Sequence, residues 1–169
     1  AIKYGFAYVT EDRKCDGLLW LRNILENLTI NSLDEISDKG FLNQKRVKKK
    51  GMKYFKIFGI KANRIEDMPQ SLSGGNQQKL VVARAMGTEP KILLLDEPTK
   101  GIDIGAKNEI YNIINDLVAN GVSIIMVSSE LPELLAMCDR FIVMADGEIK
   151  GELSKEEVSE HKIMMLAAQ

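Results

Sequence analysis

Residues 2–10 open the chain with a loose alternation rich in Tyr, Phe and Val, the composition of a strand, and the polar group Glu11, Asp12, Arg13 and Lys14 closes it. From residue 21 to residue 86 the apolar positions recur at helical spacing. Val47, Tyr54, Phe55 and Phe58 share one helix face there, while Lys45, Arg46, Lys48, Lys49 and Lys50 crowd the other, which predicts an amphipathic helix with a solvated basic side. Beyond residue 91 the pattern turns to strand, helix, strand. Ile92, Leu93, Leu94 and Leu95 form an unbroken apolar run of the kind buried on both faces of a parallel sheet, so helices are expected on both faces. Ile110, Ile113, Ile114, Leu117 and Val118 repeat at helical spacing, with Gly121 placed to end that helix in a left-handed cap. Residues 122–128 predict a second buried strand and residues 140–144 a third. The third turns at Asp146 and Gly147 into a hairpin that adds an antiparallel piece to the parallel sheet. Ser154 and Glu157 have the spacing of a capping box, predicting a last helix from Lys155 towards Ala168. The pattern as a whole is an open α/β sheet with a helical insertion.

Composition narrows this picture. A length of 169 residues suits one domain, and 45% hydrophobic with 28% charged residues excludes disorder and fibrous repeats. The formal net charge of -1 gives no general attraction to nucleic acid or anionic lipid, so such a role would need a local patch. The apolar runs are too short to cross a bilayer and the N-terminus has no signal-peptide pattern, so a cytosolic location is expected. Cys15 and Cys138 stand outside any metal-binding or disulfide pattern and are expected to be reduced and buried. His161, the lone histidine, has no ligand or nucleophile near it in sequence and is read as structural or exposed.

Candidate chemistry concentrates in two segments. In the first, Leu72, Ser73, Gly74, Gly75, Asn76, Gln77, Gln78 and Lys79 take a glycine-rich turn directly into a helix. The first N–H groups of a helix lack internal partners and carry partial positive charge, so phosphate oxygens can accept from them where glycines permit close approach. Taken alone, such a turn is more often a plain helix cap. In the second, the apolar strand at 92–95 ends in Asp96 and Glu97, followed by Pro98 and Thr99, at the edge where open parallel sheets bind ligands. One carboxylate there could be an ordinary solvated strand end. Two side by side suit phosphoryl transfer, with Asp96 holding Mg²⁺, often through water, and Glu97 orienting the water that attacks a γ-phosphate.

With these residues in order, the chain resembles the ABC ATPases: residues 72–77 their signature motif, 92–99 their Walker B strand, and Lys100, Gly101, Ile102 and Asp103 their D-loop. The resemblance implies an α/β P-loop NTPase of ABC type, incomplete, with a mainly parallel sheet core and a helical signature subdomain. One partial domain is expected over 1–169, with 1–20 and 90–169 as nucleotide-binding core and 21–89 as helical subdomain. In that family two nucleotide-binding domains meet head to tail. Ser73, Gly74, Gly75, Asn76 and Gln77 would then act in trans on ATP held by the other domain, with Gly101 and Asp103 also at the nucleotide. The segments LSGGNQQK at 72–79, DIGAK at 103–107 and YVTEDRK at 8–14 resemble the second half of monosaccharide importer ATPases of the ribose, galactose and xylose type. Asn76 stands where the commoner signature ends in glutamine, which points towards that subfamily.

Three departures from the general pattern bear on mechanism. No GxxxxGK[ST] phosphate loop occurs in the sequence, so Ala1 is expected to lie downstream of it in a longer parent and the isolated piece to be inactive as an ATPase. Glu11 stands at the Q-loop glutamine, which touches Mg²⁺, and Ser129 at the switch histidine, which contacts the γ-phosphate. Serine can donate a hydrogen bond but cannot carry imidazole's charge. The resemblance implies ATP and Mg²⁺ as cofactors. The implied partners are a second nucleotide-binding domain and the transmembrane subunits of a sugar permease, with no nucleic acid, and the implied place is the inner face of the cell membrane, in the cytoplasm. The alternative is a soluble, non-transport ABC ATPase acting on nucleic acid or ribosomes. The segment at 11–14 is the candidate for passing nucleotide state to a permease. Trp20, Met164 and Met165 are expected to serve ordinary packing.

Overall fold

The computed structural model describes residues 1–168, and the chain forms two compact units, Ala1–Ile125 and Met126–Gln169. In the first unit β1 (Phe6–Val9) leads through a short π-type turn to the helical stretch. That stretch holds α1 (Ile24–Thr29), α2 (Leu33–Ile36), a two-stranded hairpin of β2 (Ser37–Asp38) and β3 (Phe41–Leu42), α3 (Gln44–Ile57) and α4 (Gly74–Met86). The chain returns to the sheet with β4 (Ile92–Asp96), continues into α5 (Ile104–Ala119), and enters β5 (Ser123–Val127), which runs from the first unit into the second. β1, β4 and β5 form a three-stranded sheet in the order β1-β4-β5. β1 and β4 are parallel, with Tyr8 opposite Leu94 and Val9 opposite Leu95.

Side-chain alternation makes the two faces of this sheet unequal. Val9, Leu93 and Leu95 are buried on one face, whereas Tyr8 and Ile125 are largely exposed and Ile92 and Leu94 half-buried. The cover expected on both faces is therefore found on one among the described residues, and β5 is not the buried strand its composition suggested. The opening strand is also shorter than the alternation implied. Residues Ile2–Tyr4 form a 3₁₀ turn ended by Gly5 at φ +79°, a left-handed conformation that breaks the strand before Phe6.

The helical stretch is built on buried apolar side chains, among them Ile24, Leu28, Ile36, Val47, Tyr54, Phe58 and Leu80. α1 starts with a reciprocal capping box: Asn23 Oδ1 accepts from Glu26 N at 2.9 Å, and Glu26 Oε2 accepts from Asn23 N at 3.0 Å. Asn27, fully buried, satisfies the chain entering that helix by accepting from Leu19 N and donating to the carbonyls of Leu19, Arg22 and Asn23. Helical spacing did not disclose the β2–β3 hairpin, whose turn uses Lys39 at φ 50° and Gly40 at φ 85°. On α3 the expected face is met, with Val47 and Tyr54 inside and Lys45, Arg46, Lys48 and Lys49 in solvent.

The second unit contains α6 (Leu131–Met137), the antiparallel strands β6 (Arg140–Ala145) and β7 (Glu148–Ser154), and α7 (Glu160–Ala167). Asp146 at φ 51° and Gly147 at φ 79° make the tight turn their sequence predicts, although β6 and β7 form a sheet of their own. The Ser154 and Glu157 contacts form, with Ser154 N donating to Glu157 Oε2 at 3.2 Å, but they close a turn at the end of β7. The helix starts five residues later than expected, capped by Ser159, which accepts from Lys162 N. The burial expected of the two cysteines is not met: Cys15 is exposed and Cys138 half-buried. Met164 and Met165 are 63% and 55% exposed. His161 is exposed, as read. No described helix is long and apolar enough to cross a membrane.

Candidate nucleotide site

β4 delivers Asp96 and Glu97 at its C-terminal end. Asp96 Oδ2 accepts from the Tyr8 hydroxyl at 2.8 Å, tying the end of β4 to β1. That hydrogen bond, with lesser contributions from burial and the Asp96 charge, raises the Tyr8 phenol above its ordinary pKa. Glu97 sits at φ 49°, a left-handed conformation that costs a residue bearing a Cβ about 1–2 kcal/mol. The chain thus bends sharply directly after the strand, and the two carboxylates do not simply alternate across the sheet. Glu97 and Thr99, which is buried, both take part in further polar contacts within the protein.

The loop after β4 is fastened to the loop after β1. Lys100 Nζ pairs with Glu11 Oε1 at 2.5 Å, and this bond first, then the charges of Glu11, Glu97 and Asp96, raises the Lys100 pKa. Arg13 adds a fork: Nη1 donates to Lys100 O at 2.9 Å and Nη2 to Gly101 O at 3.4 Å. Gly101 has φ +68°. Asp103 then caps α5, accepting from Ala106 N at 3.0 Å.

The glycine-rich turn meets these loops at the start of α4. Ser73 is the N-cap, its Oγ accepting from Asn76 N at 3.4 Å and from Asn76 Nδ2 at 2.9 Å, so its own O–H is the group left to donate outwards. A Cβ on Gly74 would lie 3.4 Å from Arg13 Nη2 and 3.8 Å from Gly101 O, which places the turn against Arg13 and the Gly101 loop. A Cβ on Gly75 would come to 2.4 Å from Ala106 Cβ, so only glycine allows α4 and α5 to begin side by side. Asn76 Oδ1 accepts from Lys61 N at 2.8 Å, and Gln77 Nε2 donates to Pro69 O and Leu72 O. These two amides therefore hold the turn's shape; with Asn76 N and Gln77 N turned to Ser73, the Gly74 and Gly75 N–H groups and the Ser73 hydroxyl are the donors placed to meet an anion.

Further along α4, Lys79 has only 5% of its side chain exposed and pairs with Glu109 Oε2 of α5 at 2.5 Å while donating to Gly59 O at 3.1 Å. Lys61 reaches the other Glu109 oxygen at 2.9 Å. Hydrogen bonds from Lys79 and then Lys61 pull the Glu109 carboxyl down to about 2.

Ser73, Gly74, Gly75, Gly101 and Asp103 come together around the α4 and α5 N-termini, while Asp96 ends β4 and Glu11 lies on the loop after β1, which the Lys100 and Arg13 links join to the loop after β4. Ser129 belongs to the second unit, at an exposed bend after β5. Among the described residues no three His, Cys, Asp or Glu side chains group closely enough to hold a metal ion. Asp96 nevertheless suits Mg²⁺, which takes one or two carboxylates and completes its shell with water and phosphate oxygens. Glu11, paired with Lys100, is the less available of the two. Sequence reasoning named the 11–14 segment but not the roles of Arg13, Lys100, Tyr8 or Glu109. Their partners lie far along the chain, 87 positions from Arg13 to Lys100, and no local pattern encodes them.

The fold is that of an α/β P-loop NTPase. The family described as ABC transporter matches residues 5–100, and the chain belongs to that family. It is 48% identical over 167 residues to the xylose import ATP-binding protein XylG of Thermoanaerobacter pseudethanolicus, covering 99% of this chain and 33% of the relative. It is 47% identical to the ribose import ATP-binding protein RbsA of Bacillus subtilis, covering 99% and 34%, and 47% identical to the L-arabinose transport ATP-binding protein AraG of Geobacillus stearothermophilus, covering 98% and 32%. The chain thus spans about a third of the length of the curated relatives it matches. Among solved structures, the ATP-binding cassette MJ1267 of an ABC transporter superposes with a TM-score of 0.72 at 26% identity, covering 98% of this chain and 69% of that one. A dimeric post-hydrolysis state of the cassette MJ0796 bound to ADP and Pi gives 0.74 at 24% identity, covering 89% and 62%, and speaks to the fold alone.

Proposed function

We propose that this chain is part of the ATP-binding subunit of a bacterial ABC importer for monosaccharides, coupling ATP binding and hydrolysis to sugar uptake. The observation that carries the reading is the 46–48% identity, across nearly the whole chain, to import proteins named for xylose, ribose and arabinose. In this reading the turn of Ser73, Gly74 and Gly75 closes over ATP held by a second nucleotide-binding domain, donating helix N–H groups and the Ser73 hydroxyl to its phosphates. Asp96 receives Mg²⁺, which would neutralise phosphate charge, and Glu97 orients water. Gly101 and Asp103 shape the loop between the two half-sites. The partners are that second domain and the permease subunits, and the protein works in the cytoplasm, peripheral on the inner face of the membrane.

Glu11 and Ser129 replace groups that serve hydrolysis in the wider family, so the two composite sites are unequal and the partner site closed by Ser73 does most of the transport work. Proteoliposomes holding the complete protein with its permease and binding protein test this. Ser73→Ala removes one hydrogen bond to a charged group, worth about 1.5–3 kcal/mol, and ATP-driven uptake is expected to fall at least tenfold. Glu97→Gln is expected to leave most uptake in place. Unchanged uptake with Ser73→Ala would sink the role in trans, and uptake abolished by Glu97→Gln would sink the asymmetry.

A further inference from the structure

α3 carries seven cations and no acid in 14 residues, within a chain whose net charge is -1. The helix therefore concentrates positive charge that the rest of the molecule lacks. Lys50 is drawn inward to Glu35, but Lys45, Arg46, Lys48, Lys49, Lys53 and Lys56 are all exposed. They lie opposite the buried Val47, Gly51 and Tyr54, so the charge forms one continuous stripe. Immediately before the helix the β2–β3 hairpin presents Phe41, 81% exposed, and Leu42, 50% exposed, beside Lys39 at its turn. Asn43 joins the two elements directly by capping α3 through Lys45 N and Arg46 N. An apolar finger is thus fixed next to a lysine stripe.

We infer that this face is an interaction surface for an anionic phospholipid bilayer. Lysine clusters on an amphipathic helix are drawn to a negatively charged membrane by roughly 1 kcal/mol per residue near the surface. An adjacent aromatic and aliphatic pair adds apolar area that enters the headgroup boundary. The make-up of the stripe favours lipid over nucleic acid: five of its six cations are lysines, compact point charges suited to diffuse headgroup phosphate, and Arg46 is the single fork-shaped donor. None of these residues belongs to the Ser73 and Asp96 site, and the inference goes beyond the transport reading.

Co-sedimentation of the 169-residue chain with vesicles tests the inference without nucleotide or sugar, so its outcome is independent of the transport proposal. Binding is expected to phosphatidylcholine vesicles containing phosphatidylglycerol but not to phosphatidylcholine alone, and to fade at high salt. Replacing Lys45, Lys48 and Lys49 together by Gln should weaken binding about a hundredfold, from three lysines at roughly 1 kcal/mol each. The same three positions changed to Arg should retain it, and Phe41→Ser should weaken it several-fold. These side chains are exposed, so melting temperatures should not move. Equal binding to neutral vesicles, no binding to anionic ones, full binding by the Gln triple variant, or tighter binding to a DNA duplex than to the anionic vesicles would each overturn the proposal.

Discussion

Changing Gly74 to Asp in the complete protein is expected to reduce ATP-driven uptake to less than about a hundredth while leaving the cassette folded. The backbone at Gly74 has no positive φ, and the nearest atom to an added Cβ is the flexible end of Arg13 at 3.4 Å, so the side chain fits with a small shift. A carboxylate at a helix N-terminus is favourable for the helix itself, by about 0.3–1 kcal/mol. Its effect on function has the opposite sign, because it occupies the place where the turn would receive phosphate. Two unit charges about 4 Å apart repel by about 4 kcal/mol at the effective dielectric of a protein surface, enough for a loss of two to three orders of magnitude. Uptake at the unsubstituted rate, with an unchanged melting temperature, would show that the α4 N-terminus does not meet the nucleotide.

Glu109→Gln is expected to destabilise this chain by about 2 kcal/mol, a fall in melting temperature of roughly 4–8 °C. The cost arises at Lys79, whose buried ammonium would keep only the Gly59 carbonyl as a strong partner. Removing one member of a fully buried pair costs about 3–5 kcal/mol. Glu109 is 43% exposed, and solvent screening brings the figure down. Changing Lys79 to Met as well should recover most of the loss, since the double variant leaves no buried charge unmatched. The pair also predicts a pH dependence. Glu109 has its folded-state pKa lowered from 4.5 to about 2. Its contribution is therefore complete above the ordinary value and is lost as pH falls towards 2. The melting difference between the native chain and Glu109→Gln should shrink across that window, and a difference that stays constant with pH would contradict the assignment.

What could be read from the sequence was what short-range chemistry determines. The β4 run, the left-handed Gly121 after α5 at φ 87° and the turn at Asp146 and Gly147 each depend on a few neighbouring residues, and each is present. Ser73 was also legible as a residue opening a helix, whereas the Asp103 cap on α5 was not. Local signals misled where more than one structure could use them. The Ser154 and Glu157 contacts exist, yet they serve a turn, because the same hydrogen bonds satisfy a strand end as readily as a helix start. The apolar run of β5 read as buried because periodicity reports what a strand could bury and not what covers it. Nothing local announced the Arg13 fork to Lys100 and Gly101 or the Lys79 and Glu109 pair. These depend on the fold bringing together loops that are distant in sequence, and the site's internal wiring was invisible until the fold was known.

Calorimetric titration of the 169-residue chain with Mg-ATP tests the central claim most directly. The claim is that this chain supplies a signature turn and a strand-end carboxylate pair while the phosphate cradle comes from another segment. The account predicts no heat of binding below millimolar nucleotide. Micromolar binding would mean that residues within this chain cradle the phosphates by themselves, and the role of Ser73, Gly74 and Gly75 in trans would have to be given up.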